Sequence, residues 1–445
     1  MAMERKGPVR PPTEKGTPQA VPERPLGGRE AFFHRVHEEL FGGPSVLCVS
    51  ARVAGPLDIQ LLKHACHRVW ERHPVLKARI VSREGKPSFL FNVPFRDIPI
   101  HSFFELGRTN FHTVLEREVD TLFDVSKHLW RVLLITDKTD LKRHYLLLSL
   151  HHSISDGTSA VRLAEELISC CTRILAGETP RTDPLPLRAS LEELMASAGG
   201  TSRQSGTATG RPPGESGGGS MPYHEFQPPG RRHTRFRVHT MEVAETAVLE
   251  EKRLRAGTSI HSALAASALT VMRKHFGDDV RLSVTTPVNA RGLTGTAIGD
   301  GELWCMETPV SIHGEDIGGR DTWQMARDYS DKLAFATAGG MALSACANTD
   351  PAEEIEGLRA ARHFPLSCLL LEEGRVGPDQ KSPFVVENMG LVSGRQAADH
   401  IMAISAATAG DALSLTFAYT SPLLRESWAD RFVSEFLHNL ERMAK

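Results

Sequence analysis

The sequence lacks the long apolar run, the charge imbalance and the paired cysteines that mark several large classes of proteins. Its most apolar stretch, residues 260–272, is too short to cross a bilayer and is followed by Arg273 and Lys274. The 52 basic and 54 acidic side chains give a formal net charge of −2, so the chain as a whole has no bias toward nucleic acid or acidic membranes. We therefore expect neither a transmembrane segment nor nucleic-acid binding.

The seven cysteines are odd in number, and no two of them are spaced as a CxxC pair. This pattern argues against a disulfide framework and against a structural zinc site, and it favours a reducing compartment. The beginning of the chain also lacks the apolar core of a secretory signal. We therefore expect a cytoplasmic protein without a bound metal.

The 445 residues are enough for two or three compact units of roughly 150 residues each. Residues 1–28 are rich in proline and are predicted to form a disordered tail. Residues 196–232 contain few large apolar side chains, so they cannot bury a core and are predicted to form a flexible crossover linker. This linker separates a predicted N-terminal lobe, residues 29–195, from a predicted C-terminal lobe, residues 233–445.

Strand and helix patterns alternate in the predicted N-terminal lobe. Short apolar runs at residues 130–135 and 145–150 are typical of strands that are buried on both faces. Apolar residues at helical spacing follow Asp58 and Gly157, which predicts a helix after each of them.

The predicted C-terminal lobe repeats this alternation. Thr258 or Ser259 is expected to cap a helix, residues 281–286 are predicted to form a strand that ends at Pro287, and residues 303–312 are predicted to form another strand. Alternating elements on both sides of the linker predict a mixed α/β fold.

One segment, HHSISDG at residues 151–157, is the strongest candidate for a reactive site. It follows a predicted buried strand and precedes a helix, a position where ligand chemistry concentrates in α/β sheets. Adjacent residues of an extended chain point in opposite directions, so only one of the two histidines can face a neighbouring cleft. A histidine near its free pKa can accept a proton from an alcohol, an amine or a thiol. The alternative interpretation is a turn and helix cap with ordinary packing histidines.

HHSISDG resembles the HHxxxDG motif of the chloramphenicol-acetyltransferase-like acyltransferase superfamily, which includes nonribosomal peptide condensation domains. Four other segments resemble the family in the same order, and the resemblance covers roughly residues 26–445. The segments are GPLDIQLLKHACHRVWERHPVLKARI, TSIHSALAASALTVM, TTPVNARG and DALSLTFAYTSPLL. The resemblance implies two chloramphenicol-acetyltransferase-like lobes with mixed sheets and an active-site tunnel between them.

The resemblance also implies roles for individual residues. His152 matches the general base of the family, and His151 matches the supporting histidine beside it. Asp156 matches a structural aspartate that pairs with an arginine, for which Arg291 in TTPVNARG is our candidate. Gly157 matches the motif glycine, whose small size lets substrate or backbone approach closely.

Departures from the family patterns argue against two of the subfamilies, the plant BAHD enzymes and the wax ester synthases. The stretch VENMG at residues 386–390 stands where plant BAHD enzymes have DFGWG, and the NVPG pattern of wax ester synthases is absent. No adenylation or carrier domain is recognisable, so we expect a free-standing enzyme. The sequence looks nearest to polyketide-associated acyltransferases and alcohol acetyltransferases.

The implied activity is acyl transfer from a thioester to a hydroxyl or amine acceptor, with acyl-CoA as the expected donor. No covalent acyl-enzyme and no permanently bound cofactor are expected, since the acceptor attacks the thioester directly. One alternative takes the acyl group from the phosphopantetheine of an acyl carrier protein, and another is a non-catalytic scaffold of the same fold. For the oxyanion-stabilising donor, Asn388 and Thr286 are both open candidates.

Three other groups of residues admit a functional interpretation but are expected to be structural. They are His64, Cys66, His67 and His73 as a metal site, the Cys170–Cys171 pair, and Arg231 and Arg232 as a contact for CoA phosphates. No HExxH or CxxC pattern accompanies the first group, the cysteines follow a helix face, and the arginines lie at a charged linker end.

Overall fold

The computed structural model describes residues 21–105, 107–197, 219–317, 321–338, 351–377 and 381–445. The helices of this part are α1 (Gly28–Glu39), α2 (Ile59–Arg72), α3 (Gly107–Asp120), α4 (Gly157–Leu175), α5 (Leu191–Ser197), α6 (Val243–Ala256), α7 (Ile260–Phe276), α8 (Thr322–Ala338), α9 (Pro351–Ala360) and α10 (Glu426–Ala444). Among them, none combines the length and the apolar content needed to cross a lipid bilayer.

The strands of the described residues form two main sheets and two small ones. They are β1 (Glu23–Pro25), β2 (Val46–Ala54), β3 (Ala78–Arg83), β4 (Lys86–Phe91), β5 (Ile100–Glu105), β6 (Trp130–Asp137), β7 (Arg143–His151), β8 (Ser220–Pro222), β9 (His233–Thr240), β10 (Ser283–Asn289), β11 (Glu307–His313), β12 (His363–Pro365), β13 (Ser367–Val376), β14 (Val385–Ser393), β15 (Met402–Ala409) and β16 (Ala412–Ser421).

Both main sheets are mixed. The five-stranded sheet has the order β14-β2-β7-β6-β5, in which only β5 and β6 are parallel neighbours. The six-stranded sheet has the order β11-β10-β13-β15-β16-β9, in which β13 is parallel to both of its neighbours. The mixed α/β architecture that the sequence predicted is confirmed.

Strand β14 joins the two halves of the chain. It follows the six-stranded sheet's β13 in sequence, yet it pairs with β2 at the edge of the five-stranded sheet, from Val385 opposite Ala54 to Ser393 opposite Leu47. The alternation of helices and strands does not show which sheet a strand will join, so the sequence did not predict this exchange.

The first hydrophobic core fixes α4, and α4 positions the candidate site. Asp58 caps α2 by accepting hydrogen bonds from the backbone N–H groups of Gln60 and Leu61, both at 2.8 Å. Helices α2 and α4 pack together over the five-stranded sheet. The fully buried Trp130 of that sheet donates a hydrogen bond to the carbonyl oxygen of Leu76 at 2.9 Å. Burying side chains of this size contributes about 1.5–3 kcal/mol each.

The second core lies between the six-stranded sheet and helices α7 and α10. Helix α7 is continuously buried from Ser262 to Leu269, and Ser259 caps the helix by accepting from the backbone N–H of Ser262 at 3.0 Å. Helix α10 is amphipathic and buries Phe432 and Phe436 against the same core. Of the two residues proposed as the cap, Ser259 is therefore the one that performs it.

Two predicted strand boundaries were wrong. Pro287 lies inside β10, where it faces Pro309 of β11. A proline is tolerated there for two reasons. Pro287 and Pro309 form a non-hydrogen-bonded pair, in which neither residue donates an N–H to the other strand. On the other side of β10, strand β13 pairs only as far as Thr285, so no ladder hydrogen bond is lost at Pro287. Strand β11 begins at Glu307 rather than at residue 303, since residues 303–306 turn toward α4.

The predicted tail and linker are partly structured. Glu23–Pro25 is a strand that pairs with β4, so the tail does not extend to residue 28. At the linker's C-terminal end, residues 220–222 pair with β12, and Arg232 is only 2% exposed because it donates to the carbonyl oxygens of Gln227 and Gln396. Arg232 is therefore not a solvated linker residue. Residues 1–20 and 198–218 lie outside the described residues.

Candidate active site

The HHSISDG segment is held at both ends by buried structure. Strand β7, which ends at His151, pairs with β2 on one side and with β6 on the other. Helix α4 begins at Gly157, and Asp156 is its N-cap. All seven residues of the segment are buried, so their positions are set by packing rather than by a mobile loop.

His152 is fixed by three contacts. Its backbone N–H donates to the carbonyl oxygen of Ser45 at 2.7 Å, and its ring stacks on Phe33 of α1 with ring centroids 3.6 Å apart and planes 7° apart. Its Nε2 atom lies 3.2 Å from Oε1 of Glu307 at the start of β11. The other ring nitrogen, Nδ1, is buried and has no hydrogen-bond partner in the described part of the chain.

Glu307 is the main electrostatic partner of His152. Burial opposes the ionisation of Glu307, but the charges of His152 and Arg29 and the hydrogen bonds from His152 and the Gly157 backbone outweigh it, so the pKa of Glu307 is lowered from its ordinary value. Glu307 is therefore a carboxylate at neutral pH, which favours a proton on Nε2 of His152 and leaves the lone pair of the neutral ring on Nδ1. The same carboxylate stabilises an imidazolium.

His151 has a different environment from that of His152. Its Nδ1 atom accepts from the backbone N–H of Ser153 at 3.1 Å and contacts the Ser153 hydroxyl at 2.7 Å. Its ring meets His37 edge-on with centroids 4.8 Å apart. Burial, and secondarily the neighbouring His37, holds the pKa of His151 well below its usual range. His151 is thus a neutral packing side chain.

Asp156 accepts hydrogen bonds with both carboxylate oxygens. Oδ1 accepts from the backbone N–H and the hydroxyl of Ser159, both at 2.9 Å. Oδ2 accepts from Nη1 of Arg291 at 2.7 Å and from the backbone N–H of Met306 at 2.9 Å. The side chains of Asp156 and Arg291 are each only 2% exposed. This network directs both carboxylate oxygens of Asp156 toward structural partners.

Arg291 also positions the segment that leads to Glu307. Its Nη2 atom donates to the carbonyl oxygen of Glu302 at 2.8 Å and to that of Trp304 at 3.3 Å. Together with the Met306–Asp156 hydrogen bond, these contacts tie residues 302–306 to the start of α4. The next residue along the chain, Glu307, is thereby held beside His152.

Gly157 is required for space rather than for backbone conformation. Its φ is not in the left-handed region. A Cβ at this position would lie 2.9 Å from Cδ2 of Leu391 and 3.2 Å from Oε1 of Glu373.

Burial, and then the charges of Asp156 and Glu307, raises the pKa of Glu373 to about 8, so this side chain is largely protonated at neutral pH.

The structure leaves several sequence candidates outside this cluster. Asn388 donates to the Ser414 hydroxyl at 2.6 Å, and Thr286 bonds to His261 and Tyr329 in the second core. Neither side chain has a hydrogen bond to the cluster around His152.

The histidine and cysteine candidates are also elsewhere. His73 is buried and bonds to Glu166 at 2.9 Å, Cys66 is buried in the first core, and His64 is exposed. Within the described ranges, no three His, Cys, Asp or Glu side chains are grouped so that they could hold a metal ion. Cys170 and Cys171 are buried in α4.

Three residues at the site were not predicted from the sequence: Phe33, Glu307 and Glu373. Phe33 lies in α1, Glu307 at the start of β11 and Glu373 in β13. Only the tertiary fold brings these three residues next to the HHSISDG segment. Glu307 stood inside a predicted strand, but no local pattern linked it to a histidine 155 positions earlier. A charged residue within an otherwise apolar strand was the available signal.

The HHSISDG segment lies within a part of the chain that matches a known protein family. Residues 35–194 match the model of the condensation domain family. Nonribosomal peptide synthetase kk1B from Curvularia clavata is 34% identical over 149 residues, which are 32% of this chain and 1% of that synthetase. The chain thus spans a very small part of the curated relatives it matches, 1–5% of the first three.

Two solved structures share the fold over almost the whole chain. Polyketide synthase associated protein 5 from Mycobacterium tuberculosis has a TM-score of 0.69 at 17% identity and covers 95% of this chain and 98% of its own. Trichothecene 15-O-acetyltransferase from Fusarium sporotrichioides has a TM-score of 0.72 at 14% identity and covers 97% of both chains. The condensation domain match and these two structures confirm the predicted family resemblance and the chloramphenicol-acetyltransferase-like fold.

Proposed function

We propose that this protein is an acyltransferase that moves an acyl group from a thioester to a hydroxyl or amine acceptor, with His152 as the general base. The observation that supports this best is the placement of His152 at the junction of β7 and α4, inside the region that matches the condensation domain. Its ring is held by Phe33 and Glu307, so it is oriented before substrate arrives.

In the proposed reaction, His152 takes the proton of the acceptor O–H or N–H as the oxygen or nitrogen attacks the thioester carbonyl carbon. A new C–O or C–N bond forms, the C–S bond breaks, and the proton passes from His152 to the departing thiolate. The products are an ester or amide and a free thiol. The carboxylate of Glu307 stabilises the imidazolium that exists between the two proton transfers.

Direct transfer without a covalent acyl-enzyme is consistent with the state of the thiols. The six described cysteines are free and buried. Burial raises the pKa of all six, and a thiol with a raised pKa is a poor nucleophile at neutral pH. Free thiols also suit a reducing compartment such as the cytoplasm, which we propose as the location.

The surrounding residues have supporting roles in this proposal. Asp156 and Arg291 hold the start of α4 and the Glu307 segment together, and His151 packs behind the motif. Gly157 gives β14 and Glu373 room to approach. We propose that substrates reach His152 through a tunnel between the lobes of residues 29–195 and 233–445.

The acyl donor has two candidate forms. Acyl-CoA is the donor that we propose first, because the sequence looks nearest to polyketide-associated acyltransferases and alcohol acetyltransferases. An acyl group on the phosphopantetheine of a carrier protein is the second candidate, and the match of residues 35–194 to the condensation domain favours it. The deciding experiment incubates the protein with acyl-CoAs or with an acyl-loaded carrier protein, in the presence of alcohols and amines, and identifies the products by mass spectrometry.

We predict that His152→Ala reduces turnover by about 100- to 10,000-fold, the usual contribution of a general base, while the protein stays folded. The measurement is kcat together with the melting temperature. His64→Ala, at an exposed position of α2, is the matched control and should retain full activity. Activity of His152→Ala within a few-fold of the wild type would remove His152 from the mechanism. A folded wild-type protein that transfers no acyl group from either donor would favour the non-catalytic scaffold.

A further inference from the structure

A broad-mouthed cavity of about 450 Å³, open to solvent, lies beside α7 and α8, and its described lining residues include none of the His152 cluster. Its walls include the aliphatic side chains of Leu293, Leu333, Ala334 and Ala338. Its polar side is formed by His261 and by the hydroxyl residues Ser259, Ser262, Ser330 and Thr337. The described lining residues include no Asp, Glu, Lys or Arg. This volume lies within the range of small-molecule sites, which are mostly apolar and contain few polar groups, typically about 300–1,000 Å³.

A short hydrogen-bonded chain orients His261 at the cavity wall. Nε2 of His261 lies 2.8 Å from the hydroxyl of Thr286, and that hydroxyl lies 2.8 Å from the hydroxyl of Tyr329. Tyr329 is fully buried. Both hydroxyl protons have an acceptor only if Tyr329 donates to Thr286 and Thr286 donates to Nε2 of His261. His261 then carries its own proton on Nδ1, as a hydrogen-bond donor.

The charge state of His261 favours an uncharged ligand. Burial lowers the pKa of His261 to about 4, so the ring is neutral at physiological pH. A neutral donor in a cavity whose described lining carries no charged side chain gives little compensation for desolvating a charged group. An uncharged ligand with one acceptor oxygen matches both properties.

The cavity and the candidate active site share one structural element. The short helical turn Arg291–Leu293 supplies Leu293 to the cavity wall and Arg291 to the ion pair with Asp156. A group bound in the cavity therefore lies against the segment that organises the start of α4.

We propose that this cavity binds an uncharged aliphatic group that contains one carbonyl or hydroxyl oxygen, with the Nδ1–H of His261 donating to that oxygen. The assignment of this group to a substrate rests on the proposed function, in which both the acyl chain of the donor and the body of the acceptor have this chemistry.

The test measures binding without turnover, with octan-2-one as the probe, by ligand-detected NMR titration of the full chain. Ala334→Phe adds a large side chain to the cavity wall and should weaken binding by at least about tenfold. Lys332→Phe is the matched control, because Lys332 is exposed on the same helix and does not line the cavity, and it should bind like the wild type. His261→Phe removes the donor and should weaken binding by about 2- to 10-fold.

Melting temperatures of the three variants establish that each is folded before its affinity is compared. An unchanged dissociation constant for a folded Ala334→Phe protein would overturn the cavity as the binding site. Unchanged affinity of a folded His261→Phe protein would overturn the role of the Nδ1–H donor.

Competition identifies which substrate occupies the cavity. Displacement of octan-2-one by octanoyl-pantetheine assigns the cavity to the acyl donor, and displacement by octan-1-ol assigns it to the acceptor. Displacement by neither compound overturns the substrate assignment. Failure of the proposed function has a separate signature, because His152→Ala would then retain turnover whatever the binding result in this cavity.

Discussion

At the scale of the residue, the Asp156–Arg291 pair explains why a carboxylate follows the two histidines. The pair is almost completely buried, and Asp156 also accepts hydrogen bonds from Ser159 and the backbone of Met306. An aspartate with this set of donors is a structural anion, and a proton relay would require it to exchange one of them. A buried pair adds little net stability by itself, but removing one partner strands the other charge.

We predict that Asp156→Asn and Arg291→Ala each destabilise the protein by about 3–5 kcal/mol, because each leaves an unpaired buried group. The double variant should lose less than the sum of the two single variants, since its second change removes a charge that is already unpaired. Denaturation midpoints of the four proteins in this cycle provide the measurement. Strictly additive losses would contradict a mutual stabilisation of the two side chains.

Glu373 has the opposite charge behaviour from Asp156. Burial, followed by the charges of Asp156 and Glu307, raises its pKa from an ordinary 4.5 to about 8. Between these two pH values the folded state binds more protons than the unfolded state does, so the stability of the protein falls as pH rises from about 4.5 through about 8.

We therefore predict that Glu373→Gln raises the melting temperature relative to the wild type at pH 8.5 or above, where the wild-type carboxylate is ionised. The difference should shrink as pH falls toward 5, because the wild-type side chain is then protonated in the folded state. Melting curves of both proteins across this pH range test the prediction. A difference that does not vary with pH would show that Glu373 keeps an ordinary pKa.

At the scale of the element, α4 and β14 determine how closely the two halves of the chain approach at the site. Gly157, the first residue of α4, has no room for a Cβ because Leu391 of β14 and Glu373 of β13 are already in contact distance. Both strands belong to the second half of the sequence. The motif glycine is thus required by a neighbour more than 200 positions away, not by its own turn.

We predict that Gly157→Ala destabilises the protein by about 1–3 kcal/mol, the usual cost of adding a methyl group to a packed position. Adding Leu391→Val should recover part of this loss, because it removes the atom that the new Cβ would meet at 2.9 Å. Gly301→Ala is the control, since a Cβ there meets nothing within 4 Å, and it should leave the denaturation midpoint unchanged. A Gly157→Ala protein as stable as this control would contradict the close approach.

At the scale of the whole molecule, the two lobes proposed from the sequence share a β-sheet, because a strand from the second lobe pairs with a strand of the first. Strand β14 completes the five-stranded sheet and buries Met389 and Leu391 in the first core. Helix α1 from the first half packs against α9 from the second. The domain boundaries therefore describe positions in the sequence, and the first core depends on residues from both sides of the linker.

We predict that residues 21–197 alone do not unfold cooperatively, because β2 would lose its β14 partner and expose an apolar sheet edge. Co-expression with residues 219–445 should yield a complex of the two fragments that copurifies and unfolds in one transition. Size-exclusion chromatography and thermal unfolding monitored by circular dichroism are the measurements. Cooperative unfolding of the monomeric fragment 21–197 would show that its core is complete without β14.

The amino-acid sequence by itself determined the mixed α/β class, the helices α2, α4 and α7, the strands that contain residues 130–135 and 145–150, the family resemblance and the motif around His152. These follow from local patterns: periodic apolar residues, capping residues such as Asp58 and a short motif at a strand–helix junction. Only the tertiary structure decided that β14 joins the first sheet, that Glu307 and Phe33 hold His152, and that Gly157 is required by Leu391. Each of these depends on contacts between residues far apart in the chain, and such contacts leave no periodic signal in a single sequence because they arise from packing after the elements have formed.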